Sequence, residues 1–181
     1  MKRWVSAMRF LSIVVFSHSA TVASLTGLNG SDQFDFLIGN WTCTGKYLTA
    51  SGSYGTYTAT WKGYYLLERT IVADDFRVDT PNGAIAFLGS TFRTYNPDSD
   101  SWSMQFYDAV KGEWGEAFSG KRTEDMVMID ASGKDAYGSF LAKIAFYDIK
   151  EDSFKWKEDR SYDNGKTWIK NTSVIEATRV E

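Results

Sequence analysis

Apolar and polar residues alternate with a period of two along most of this chain. Tyr57, Ala59 and Trp61 alternate with Thr56, Thr58 and Thr60, and Trp102, Met104 and Phe106 with Ser103, Gln105 and Tyr107. Phe140, Ala142, Ile144 and Phe146 mark one face of a later segment, and Phe154, Trp156 and Glu158 one face of the next. Successive side chains of a strand point to opposite faces, so this pattern predicts half-buried strands. Strands are predicted over about 40–48, 56–61, 64–72, 84–95, 101–109, 114–120, 125–130, 140–146, 154–158 and 168–180. Between them lie turn signals: residues 49–53, Pro81-Asn82-Gly83, Asn96-Pro97-Asp98, Lys111-Gly112-Glu113 and Asp163-Asn164-Gly165. Residues 131–134 and 137–138 frame a further loop. Nothing reads as a long amphipathic helix. The prediction is an all-β domain, an up-and-down antiparallel β-barrel of about 8–10 strands, because a meander this long hides its edges by closing on itself. A sandwich is the alternative.

Composition agrees and adds exclusions. Aromatic residues make up 16% of the 181 residues, with 15 Gly and only 2 Pro. The N-terminus reads as a secretory signal. Lys2, Arg3 and Arg9 precede or flank the apolar run 10–16 (FLSIVVF), and Ala20 and Ala23 are candidate last residues before cleavage. The run falls short of the roughly 20 residues that span a bilayer, so stable membrane insertion is not expected. The expected organisation is a signal peptide at 1–23, a flexible leader at 24–33 and one barrel domain at 34–181, secreted or periplasmic. Cleavage leaves 17 of the 20 Lys and Arg against 23 Asp and Glu, a net of −6. That balance argues against nucleic-acid binding. The only cysteine, Cys43, shares a strand face with Trp41 and reads as a small buried hydrophobe. The only histidine, His18, lies in the expected signal. A mature chain without histidine excludes Ser-His and Cys-His catalysis, imidazole-held haem and His-built zinc sites. No cofactor is expected, and the sequence leaves room for a homodimer.

Gly39-x-Trp41, at the start of the meander, resembles the lipocalin/calycin signature. That resemblance implies that Trp41 packs under a basic residue from the end of the chain, and Arg179 stands suitably late. Gly39, Trp41 and Arg179 are therefore structural candidates. Phe36-Leu37-Ile38-Gly39-Asn40-Trp41, Leu66-Leu67-Glu68-Arg69, Thr91-Phe92-Arg93-Thr94-Tyr95-Asn96-Pro97 and Ser161-x-Asp163-x-Gly165-Lys166-Thr167-Trp168 occur in that order. Together they resemble the DUF1579-type family of small calycin-like proteins, over about residues 34–180. The resemblance implies a barrel and a cavity, not a reaction. Nitrobindin-like relatives of such barrels hold haem through a histidine, which the mature chain lacks. The segment from Ser161 to Trp168 also fits the Asp-box pattern. One copy without a blade-length repeat reads as a stabilised hairpin, not as a glycosidase propeller.

Sequons at Asn29, Asn40 and Asn171 matter only in a eukaryotic secretory pathway. The expected ligand is a small hydrophobic molecule inside the barrel. Its candidate lining is Trp61, Tyr95, Trp102, Met104, Phe106, Phe146 and Trp156, with Glu68, Arg93 and Glu158 as polar anchors. Asp108 follows Trp102, Met104 and Phe106 on one face. Asp74-Asp75 and Glu158-Asp159 are neighbours on strands, point to opposite faces and form no carboxylate dyad. Two other readings stay open. One is a histidine-independent isomerase, lyase or cyclase with Glu68 or Glu158 as base and Arg93 as electrostatic stabiliser. The other is a surface scaffold with a packed interior.

Overall fold

The computed structural model describes residues 31–180. The expected signal peptide and most of the leader lie outside the described residues. A 3-10 helix, Ser31–Leu37, leads into eleven strands. These are β1 (Gly39–Leu48), β2 (Tyr54–Leu66), β3 (Ile71–Asp79), β4 (Ile85–Asn96), β5 (Ser101–Asp108), β6 (Glu113–Trp114), β7 (Phe118–Thr123), β8 (Met126–Asp135), β9 (Gly138–Tyr147), β10 (Ser153–Ser161) and β11 (Ile169–Arg179). Each strand pairs antiparallel with its neighbours; β11 returns to β1, and β4 pairs with β5. The sheet therefore closes as an up-and-down barrel of ten strands, with β6 a short flap on β5. The barrel expectation is borne out, and the sandwich alternative is not.

One end of the barrel is shut by the 3-10 helix. Phe34 and Leu37 are fully buried on it, and Phe34 meets the rings of Trp102 and Phe146 edge-on at 4.9 and 5.8 Å. Trp41 sits beside this plug, in register with both Trp61 on β2 and Arg179 on β11. Its indole Nε1 donates to the Leu37 carbonyl at 2.9 Å, and the Arg179 guanidinium lies 4.1 Å over its ring. Arg179 in turn donates to the carbonyls of Ile38, Phe36 and Glu151. A cation on an aromatic face that also satisfies three carbonyls, two of them half-buried, ties β11 to the plug. Glycine is required on both sides of this junction. Gly39 has φ +123°, and a Cβ there would strike the Arg179 guanidinium. A Cβ at Gly63 would strike the Leu37 carbonyl, where the plug crosses β2. Cys43 is buried as expected, and burial pushes its thiol up to about 12.

Four local expectations are corrected. The predicted strand 64–72 is instead the end of β2, a turn and the start of β3. Leu67, Glu68 and Arg69 take successive positive φ values of 46°, 56° and 68°. The gap expected between the strands 56–61 and 64–72 is absent, since β2 runs through Gly63. Helix begins at Ser31, and Gln33 is fastened: its side chain accepts from the Trp102 indole and its carbonyl from Arg122. The segment 114–120 is divided, with β6 ending at Trp114 and β7 starting at Phe118. Residues 131–134 extend β8 instead of forming a loop, and the hairpin lies at 136–137.

The hairpin between β10 and β11 forms as the residues from Ser161 to Trp168 suggest. Asn164 and Gly165 take positive φ (59° and 84°), the Ser161 hydroxyl donates to Asp163, and Thr167 donates to Asp163 through both its amide and its hydroxyl. These bonds, led by the Thr167 hydroxyl, hold the Asp163 carboxyl down to about 2. A folded value below the usual carboxylate range means that Asp163 stabilises the fold above its unfolded pKa of about 3.9, and that this is lost as pH falls toward 2. Asp163→Asn is therefore expected to lower Tm at pH 7, with the gap from wild type closing near pH 2. Thermal melts of both proteins across that range check it.

Candidate functional site: the barrel cavity

The plug fills only the closed end. Above it the lumen is a cavity of about 2580 Å³, open at the end carrying the turns at 49–52, 79–81, 111–116 and 164. This exceeds the roughly 300–1,000 Å³ of most small-molecule pockets, because it takes in the wide mouth. Inward positions are set by strand parity: wherever β3 offers Val72, Asp74, Phe76 and Val78 to the lumen, the register brings Arg93, Thr91, Gly89 and Phe87 of β4 alongside.

At the cavity floor lies a buried ion pair. Asp74 is 1% exposed and Arg93 3%. The Arg93 guanidinium donates to Asp74 Oδ2, and the Trp61 indole donates to Asp74 Oδ1 at 2.6 Å. Loss of water pushes the Asp74 carboxyl above its usual range, with Arg93 and Trp61 pulling against that burial. The Phe34 ring lies 5.0 Å from the guanidinium. Arg93 Nε is the one buried side-chain polar atom without a partner among the described residues.

The wall formed by β8 and β10 carries a second cluster. Arg160 donates to Glu158 through Nε at 2.8 Å and Nη2 at 3.2 Å, and to Asp135 through Nη1 at 2.9 Å. The Tyr162 hydroxyl donates to Asp135 at 2.7 Å and the Thr172 hydroxyl to Glu158 at 3.1 Å. Arg160 also lies 4.1 Å over the Phe140 ring. Burial opposes ionisation of Asp135, but Tyr162, the Tyr137 amide and Arg160 outweigh it and hold the carboxyl below its ordinary value. At the mouth, Lys111 pairs with Asp108 at 2.8 Å.

Of the residues expected to line the cavity, Trp61, Arg93, Phe106, Phe146, Trp156 and Glu158 do. Four do not. Glu68 is exposed on the turn after β2, so it neither anchors a ligand nor serves as a base; Leu66 beside it is exposed too. Tyr95, Trp102 and Met104 belong to the packed closed end. Trp102 and Met104 are buried under the plug, and the Tyr95 hydroxyl is engaged by Asp100. The residues that sequence reasoning missed are Asp74, Asp135, Arg160 and Tyr162. Two had a signal. Asp74 continues the face of Val72 and Phe76, and Arg160 continues that of Phe154, Trp156 and Glu158. The neighbouring carboxylates do point apart. Asp75 accepts from Tyr64 and Ser90, and Asp159 from Lys170 and the Asn171 amide.

No family model matches the chain, and no curated protein does. Solved structures do share its shape. Rv2717c from M. tuberculosis superposes with a TM-score of 0.59 at 10% identity, covering 84% of this chain and 98% of that one. The S-type phycobiliprotein lyase CPES from Guillardia theta superposes with a TM-score of 0.59 at 8% identity, covering 83% and 92%. At such identities the likeness shows the fold alone. That fold is a calycin-like barrel.

Proposed function

We propose that this chain is a secreted or periplasmic barrel that holds one small, mostly apolar ligand in its cavity. The observation that carries the reading is the open lumen itself, walled by Trp61, Phe76, Phe106, Phe146 and Trp156 above a fully packed plug. An aromatic cavity with a few fixed polar groups is the usual form of a small-molecule site. The phycobiliprotein lyase among the structural neighbours has the same barrel, which is consistent with such a use. Export rests on the basic start, short apolar run and small residues of the N-terminus. Membership of the DUF1579-type family rests on the four motifs read from the sequence.

Binding is favoured over catalysis by how the carboxylates are used. A general base must exchange a proton with its substrate, which a carboxylate with both oxygens tied to fixed donors does poorly. Asp74 gives both oxygens to Trp61 and Arg93, and Glu158 gives both to Arg160. Glu68 lies outside the cavity. The scaffold reading required a filled interior, which the open lumen does not provide. The test is a titration with the neutral fluorophore N-phenyl-1-naphthylamine. One-to-one binding to wild type is expected, weakened in Ala131→Trp, which projects an indole into the lumen from a small inward position on β8. Equal fluorescence enhancement by both proteins would place the probe outside the barrel and overturn the proposal.

A further inference from the structure

We infer that the ligand carries a positive charge, and that it is an apolar amine whose ammonium group sits against Asp135 and Glu158. This rests on the ligand-binding reading above and specifies the ligand class for the same cavity. The first ground is a charge inventory. Eight Asp and Glu line the cavity and its mouth against five Lys and Arg, a net of −3. Three of those five cations are already engaged. Arg93 is held by Asp74, Lys111 by Asp108, and Arg160 is shared between Glu158 and Asp135. The wall cluster therefore has two carboxylates for one guanidinium. One negative charge at half-buried depth lacks a protein counter-ion, a costly state that an incoming cation relieves.

The second ground is geometry. A carboxylate has about four acceptor positions. Asp135 uses three, for Arg160, Tyr162 and the Tyr137 amide; Glu158 uses three, two for Arg160 and one for Thr172. Each keeps one acceptor position for a further donor. The Phe140 and Tyr162 rings stand beside them, their centroids 6.0 Å apart, and offer aromatic faces of the kind that favour an ammonium. The third ground is the lack of a site for an anion. Its charge would meet a net negative wall in which Arg93, Lys111 and Arg160 already stand in ion pairs. Arg93, the deepest cation, is already neutralised by Asp74, and its unpartnered Nε is buried in the closed floor.

The experiment compares three ligands with the same tail: octylamine, octanol and octanoate, titrated into the full mature chain at pH 7 by calorimetry. Octylamine is expected to bind about tenfold tighter than octanol, and octanoate weaker than both, the size expected of a charge-assisted contact in a partly desolvated site. Asp135→Asn is expected to abolish the preference for octylamine over octanol. Cooperative thermal unfolding reports a folded barrel, and Glu158→Gln provides the same readout should Asp135→Asn fail to fold. Arg160→Met moves the other way, since removing the shared cation strengthens the preference for the amine. Octanoate binding as tightly as octylamine, or an amine preference that survives both carboxylate substitutions, overturns the inference and leaves the binding reading intact. If none of the three binds, the binding reading falls and this inference with it.

Discussion

Asp74→Ala is expected to destabilise the barrel by about 3–5 kcal/mol, because it strands the Arg93 guanidinium in a dry floor. For a domain of this size that corresponds to a fall of roughly 6–20 °C in Tm. Among the described residues Asp74 is the only carboxylate that Arg93 touches, and Trp61 also loses its acceptor. The desolvation cost of a charge falls on whichever partner remains, so Arg93→Met is expected to cost a similar amount. The double substitution Asp74→Leu with Arg93→Met replaces the pair by apolar groups of comparable bulk and is expected to cost less than either single change. Urea denaturation of the four proteins gives the coupling directly. Additive losses would mean that the two charges do not depend on each other.

Trp41→Ala is expected to cost about 3–5 kcal/mol, the range for deleting a buried aromatic side chain from a core. The indole is 1% exposed, packs edge-on against Phe154 at 4.8 Å, and caps the Leu37 carbonyl. Its loss also removes the platform on which Arg179 lies. The consequence extends beyond stability. Arg179 joins β11 to the plug through the Phe36 and Ile38 carbonyls, so the variant is expected to loosen residues 31–37 first. Faster amide exchange in the plug than in β8 and β9 is the measurement that checks this. Uniform acceleration throughout the barrel would contradict it.

The architecture was legible because its signals are local. Period-two alternation gives strands, Asn82-Gly83 and Asn164-Gly165 give turns, and the pairing of Gly39, Trp41 and Arg179 gives the closed end. The turn after β2 was hidden for a local reason as well. Leu67, Glu68 and Arg69 are not turn formers, yet all three have positive φ. Tertiary contacts hold them there. Arg69 bonds Asp35 in the plug and lies 4.1 Å over the Tyr65 ring. With that turn unseen, Glu68 was placed on a strand face it does not occupy. The site was less legible than the fold, because it depends on register. Val72 faces Arg93 and Asp74 faces Thr91, a diagonal that brings the two charges together and that no sequence spacing announces. Likewise Arg160 reaches Asp135, 25 residues away, only because β9 lies between their strands with defined offsets. Depth along the barrel was also out of reach. Trp102 and Met104 have the same inward parity as Phe106, but the plug buries the first two and leaves Phe106 in the cavity.

The central claim is that the upper lumen is a ligand chamber and not unused space. Native mass spectrometry of the purified protein with octanol, run beside Ala131→Trp, tests it most directly. A one-to-one non-covalent adduct on the wild-type protein, reduced on the variant, is the expected result. Equal adduct on both proteins, or none on either, would contradict it.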